Sequence, residues 1–105
     1  MLLNLQNYME KLFVVVREEL PLAYQGVQSG HAVAQWLLDN KDNQNWNNQT
    51  LIYLKTPKLE HLMFKLDLQL IKYTKFIEPD LDNQITAIAL QTDKKYFSKL
   101  KLVGT

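Results

Sequence analysis

The chain opens its patterned region with Phe13 to Val16, an unbroken apolar and β-branched run. That is the pattern of a strand covered on both faces. Arg17, Glu18 and Glu19 follow at its carboxyl end, and Leu20-Pro21 closes the segment. A helix is predicted over residues 22–39, with Val27, His31, Ala34 and Leu38 at helical spacing and Trp36 on a different side. Gly26 and Gly30 weaken this helix by about 1 kcal/mol each relative to alanine, which makes sense where something packs close to that face. Residues 39–49 form an Asn/Gln-rich polar run and read as loop. Trp46 inside that run reads either as a lid over a gap in the core or as a stacking platform.

Thr50 to Lys55 carries Leu51, Ile52 and Leu54 and predicts a second strand. Thr56-Pro57 then predicts a helix start, with threonine as the cap and proline at the first helical position. Leu59, Leu62, Met63 and Leu66 make one apolar stripe behind it. A third strand is expected over residues 68–76, with a slip in alternation at Leu70-Ile71 that suggests a bulge. Pro79 to Asn83 is a turn in which Asp80 and Asp82 read as solvated turn formers, and Ile85 to Leu90 is a fourth strand. Thr92 or Asp93 caps a predicted last helix that turns Tyr96, Phe97, Leu100 and Val103 inward. The order strand, helix, strand, helix, strand, strand, helix predicts an α/β fold, a mixed four-stranded sheet with helices on both faces.

Two stretches of this pattern resemble the type-two peptidyl-tRNA hydrolases, the archaeal and eukaryotic kind. The first is the strand ending in Val15-Val16-Arg17, followed by the helix signature Gln28-Ser29-Gly30-His31-Ala32. The second is Ile77-Glu78-Pro79 followed by Thr86-Ala87-Ile88-Ala89, which looks like that family's late hairpin. The likeness runs in order over roughly residues 11–100. It implies a single domain over residues 11–105, a peptidyl-tRNA hydrolase type II-like fold, behind a lead-in of residues 1–10. The family usually carries a lysine four residues before the helix glutamine, where this chain has Tyr24. It usually carries an aspartate and a threonine before the late Glu-Pro, where this chain has Ile71 and Lys75.

Composition narrows the reading further. The chain has 105 residues, 47% hydrophobic, enough for one core and too few for a second domain. Its formal net charge of +1 places no global demand for a polyanionic partner. It has no cysteine, which excludes a disulfide framework and thiolate metal sites. His31 and His61 fall on separate predicted helices without His-x-x-His spacing, so no metal site is expected. Three glycines cannot build a phosphate loop, and no cofactor is expected. Residues 1–10 lack a basic start and a cleavage-like site, and no run approaches a membrane span; the expectation is a cytoplasmic protein without a membrane partner.

The candidate site gathers near the start of the first helix, at the carboxyl end of the first strand. Tyr24, Gln28 and His31 can share one face there. A glutamine orients water or an ester carbonyl but cannot act as a base. His31 reads either as a hydrogen-bonded helix histidine or as a general base. Arg17, the one arginine, reads either as a fork for phosphate or as a strand-end ion pair. Lys72 is expected, from strand parity, to supply the cation that Tyr24 replaces. The resemblance implies a protein that hydrolyses or binds the ester of peptidyl-tRNA, with Gln28 and His31 as the catalytic pair. Arg17, Tyr24 and Lys72 would bind substrate. Partners would be tRNA or peptidyl-tRNA and a second copy in a homodimer. The alternative is a non-catalytic dimeric binding module on the same fold.

Overall fold

A computed structural model describes residues 11–92 and 94–105. The sheet has five strands: β1 (Lys11–Arg17), β2 (Thr50–Thr56), β3 (Thr74–Glu78), β4 (Gln84–Leu90) and β5 (Lys101–Leu102), in the spatial order β3-β4-β1-β2-β5. β1 and β2 run parallel, while β4 lies antiparallel to β1 and to β3. The sheet is mixed, as the pattern predicts, but has one strand more than the four expected. Helix α1 (Leu22–Asp39) and helix α2 (Leu59–Leu68) are the two α-helices among the described residues.

Central β1 explains the architecture. Residues Leu12 to Val16 are all buried, and they divide by parity between two cores. Leu12, Val14 and Val16 join Ala32, Trp36, Trp46, Ala87 and Ala89 on the α1 side. Phe13 and Val15 join Leu54, Leu59, Leu62, Leu66, Ile88, Leu90 and Phe97 on the α2 side. A strand with two buried faces needs no polar alternation, and each buried Val or Leu contributes roughly 1.5–3 kcal/mol.

The fifth strand stands where the last helix was expected. The expected caps were Thr92, which is buried, and Asp93, which lies outside the described residues. Only a short 3-10 turn, Lys94–Phe97, forms there. Phe97 packs on Phe13 with ring centroids 4.9 Å apart, which anchors the turn to the core. The chain then pairs Leu102 with Leu54 and Lys101 with Lys55, and the Val103 N–H donates to the Tyr53 carbonyl at 3.0 Å. Backbone groups at the free side of β2 require hydrogen-bond partners, and this demand outweighs the helical spacing of Tyr96, Phe97 and Leu100. The lead-in of residues 1–10 lies outside the described residues.

Boundaries around α2 also differ from expectation. Thr56 ends β2 instead of capping the helix, and α2 begins at Leu59 with Lys58 before it. The Thr56 hydroxyl still accepts the Lys58 N–H, at 3.2 Å, so it organises the turn. At the other end, Ile71 N–H reaches the Leu66 carbonyl and Leu70 N–H reaches that of Asp67, both at 3.0 Å. This is a Schellman motif, with Leu70 at φ 58° in the position usually given to glycine. The expected third strand over 68–76 is thereby divided: its first part ends α2, and β3 starts only at Thr74. Lys72 falls in the intervening loop.

Helix α1 buries a different face from the one hydropathy selects. Its buried residues are Gln25, Gln28, Ser29, Ala32 and Trp36. Val27 and Leu38, which stand at helical spacing with His31 and Ala34, are 52% and 70% exposed. Burying glutamine is tolerated because hydrogen bonds replace water, as described next. A Cβ added at Gly26 or at Gly30 would meet nothing within 4 Å, so neither glycine marks a close approach.

Candidate functional site

The two glutamines on the inner face of α1 do different work. Gln25 donates to the carbonyls of Glu18 and Leu20, at 3.1 and 2.8 Å, and so ties the β1–α1 loop to the helix. Gln28, fully buried, reaches across to the hairpin of β3 and β4. Its Nε2 donates to Glu78 Oε1 at 2.7 Å, and its Oε1 accepts a short hydrogen bond from the Thr86 hydroxyl. The hydroxyl, amide and carboxylate form a directional chain, Thr86 to Gln28 to Glu78.

Thr86 faces Gln28 because the β3–β4 ladder slips. Phe76 pairs with Ala87 but Ile77 pairs with Ile85, leaving Thr86 as an extra residue on β4. A bulge of this kind re-aims a side chain. Here Ile85 packs on the α2 side while Thr86 and Ala87 serve the α1 side. The irregularity was expected at Leu70-Ile71; it falls at Phe76/Ile77 instead.

Glu78 is held by its position before Pro79, which keeps it extended, at φ −95° and ψ 110°. Its Oε2 accepts the Asp80 N–H at 3.3 Å. The Gln28 hydrogen bond holds its carboxyl below the usual glutamate range, against the opposing effect of burial, with the Asp80 N–H and the charge of His31 adding to the lowering. His31 is exposed at the outer edge of this group, its ring stacked on Phe76 at 4.6 Å and 7°. Half-buried Tyr24 has its phenol raised above the usual tyrosine value, chiefly by burial and then by the negative charges of Glu78 and Asp80.

Tyr24, Gln28 and His31 therefore do lie together, as their spacing on α1 suggested, and Glu78 and Thr86 complete the group. Those two belong to the stretches that carry the family likeness, yet the sequence pattern assigns neither a role. The signal for Glu78 is its place before proline; nothing in the alternation of β4 announces that Thr86 leaves the ladder.

Arg17 lies elsewhere. By parity it belongs to the α2 side of β1, opposite Gln28. Both of its terminal nitrogens engage the carboxylate of Glu60, and Glu19 stands 3.7 Å away. Its Nε donates to the Ile85 carbonyl, immediately before the bulged Thr86. The strand-end ion pair is the arrangement present, and through Ile85 it buttresses the bulge.

Lys72 is also apart from the group. It lines a cleft of about 600 Å³ with Trp36, Asp39, Asp67, Tyr73 and Thr74, at the far end of α1. There Tyr73 donates to Asp67 at 2.8 Å and Thr74 to Asp39 at 3.0 Å. Burial, followed by the bond and charge of Asp67, pushes the Tyr73 phenol up to about 12. Trp46 is buried, its indole N–H donating to Thr50 at 2.8 Å and its ring set edge-on against Trp36 at 6.1 Å. Its role is the lid over the core. Among the described residues, no group of three or more His, Cys, Asp or Glu side chains is placed to hold a metal ion. No described helix is long and apolar enough to cross a membrane.

Comparison with known proteins defines the class of fold. No protein-family model matches the chain, and no curated protein matches it. Among solved structures, it is similar to a protein of unknown function from Agrobacterium tumefaciens, with a TM-score of 0.65 and 16% identity over 88% of this chain and 96% of that one. The shared property is a small single-domain α/β fold.

Proposed function

We propose that this chain is a peptidyl-tRNA hydrolase-like protein that acts on the ester joining peptide to the terminal ribose of tRNA. The observation that carries the proposal is the meeting of the two stretches that resemble that family. Gln28 and Glu78, separated by 50 residues in sequence, share a 2.7 Å hydrogen bond, and His31 stands beside them at the surface.

In this reading His31 is the base. It takes a proton from water as the oxygen attacks the ester carbonyl, and returns it to the departing ribose oxygen when the tetrahedral intermediate collapses. Ionised Glu78 stabilises the imidazolium, while Phe76 holds the ring plane. Fully buried Gln28 is a positioning residue: it has no exposed surface for substrate, and with Thr86 it orients the carboxylate. Arg17, engaged by Glu60, is not the phosphate ligand. Neither is Lys72 part of this group.

Turnover of an N-blocked aminoacyl-tRNA tests the proposal. His31→Ala and Glu78→Gln are expected to lower kcat by about 10²-fold or more, the range for loss of general base catalysis. Activity retained by both variants, or absent from the parent at stoichiometric enzyme, refutes it. A second reading, a non-catalytic dimeric binding module, is favoured by the outer face of α1. There Leu22, Val27 and Leu38 are 59%, 52% and 70% exposed, and the helix carries no lysine, arginine or glutamate.

A further inference from the structure

We infer that the peptide part of the substrate binds as an added strand along the free edge of β3, recognised through its backbone and therefore without regard to sequence. The inference rests on the hydrolase reading of the Glu78–His31 site and assigns the substrate's other half to a place on the fold.

Among the described residues β3 is an edge strand, paired on one side with β4 only. Among the described residues no further backbone hydrogen bond engages Thr74 to Glu78 from outside the sheet. Alternate residues of such a strand turn their N–H and C=O outward, a template for an extended chain. The edge is also continuous with the site. β3 ends at Glu78, and Phe76 within it carries the stacked His31 ring.

Direction and length follow from this placement. An ester carbon beside His31 and Glu78 is at the carboxyl end of its peptide, so the peptide runs parallel to β3 with its upstream residues toward Thr74. Five strand residues span roughly 16 Å and match four to five substrate residues. On the α2 side of β3, Lys75 is exposed and Ile77 is 47% exposed, leaving room for alternate substrate side chains of any kind. Beyond Thr74 the edge opens into the 600 Å³ cleft, whose walls mix Trp36 and Leu70 with Asp39, Asp67 and Lys72. That cleft gives the upstream chain an exit without a ladder to join. Lys75 in the middle of the strand opposes pairing of this edge with another copy of the protein.

Two experiments separate this inference from the reading beneath it. In the first, kcat/KM is measured for tRNA esters of one, two, four, five and eight alanine residues. The expected result is a rise of roughly two- to tenfold for each backbone hydrogen bond gained, ending near five residues. Backbone N-methylation of alternate residues should cause losses of the same size at every second position. Turnover that is independent of length and of N-methylation overturns strand addition while leaving the hydrolase reading intact. The second experiment is independent of catalysis. A penta-alanine joined to 3′-amino-adenosine by an uncleavable amide is titrated into isotopically labelled protein. Amide shifts in Thr74 to Glu78, with cross-strand contacts from Lys75 and Ile77 to the peptide, support the inference whether or not esters are cleaved. Shifts confined to α1, or no binding, overturn it.

Discussion

Ser29 is the position where the packing makes its least expected energetic demand. Its side chain is fully buried against the sheet, and its hydroxyl has no hydrogen-bond partner among the described residues. A buried donor left unpaired costs about 1–3 kcal/mol relative to water. Serine also forms helix less well than alanine, by roughly 0.5 kcal/mol. Against these stands the loss of one packed oxygen, which at a few dispersion contacts of about 0.1–0.2 kcal/mol each amounts to well under 1 kcal/mol. Ser29→Ala is therefore expected to stabilise the protein by about 1–2 kcal/mol. At the usual scaling for a domain of this size, that raises Tm by roughly 4–16 °C. Urea unfolding followed by tryptophan fluorescence is the appropriate assay, because Trp36 and Trp46 are both buried and in contact. Gln25 Oε1, one helical turn earlier, is also buried and has no partner among the described residues. A destabilised Ser29→Ala variant would refute the reasoning: it would mean that the hydroxyl has a partner, most simply a water shared with Gln25 Oε1.

Two further outcomes are expected. Arg17→Met should destabilise by about 1.5–3 kcal/mol through loss of the charged hydrogen bond to Ile85, whereas Glu60→Gln, on the exposed side of the pair, should cost under about 1 kcal/mol; equal costs by urea titration would show that the ion pair and not the bulge is what Arg17 serves. The folded Glu78 carboxyl titrates below its unfolded value, so its contribution is fully present above the ordinary glutamate range and is lost as pH falls through the folded value. Glu78→Gln should accordingly make stability less steep with pH on the acid side; parallel stability curves for parent and variant from about pH 6 to 3 would contradict this.

The central strand was legible because its consecutive buried apolar residues leave a dense signal whatever lies on either side. The helix stripe Leu59, Leu62 and Leu66 was legible for the same reason, being apolar at one period and buried. Part of the candidate site was equally accessible: Tyr24, Gln28 and His31 are spaced within about two helical turns, so local geometry alone brings them to one region. The buried face of α1 is not legible in the pattern because hydropathy counts glutamine as polar wherever it stands. Gln25 and Gln28 are inside only because loop carbonyls, Glu78 and Thr86 supply their hydrogen bonds, and the partners of Gln28 are distant in sequence.

By itself, then, the sequence determined the alternation of strands and helices, the two-sided burial of β1 and the grouping of polar residues at the start of α1. These depend on intervals of a few residues, over which backbone geometry sets the period. Tertiary structure decided the fifth strand, the slip that turns Thr86 toward Gln28, the partnership of Gln28 with Glu78, and the engagement of Arg17 by Glu60 on the opposite face. Each of these satisfies a buried hydrogen-bonding or charged group with a partner dozens of residues away, and such a requirement has no local signature because it exists only after the chain has closed around it.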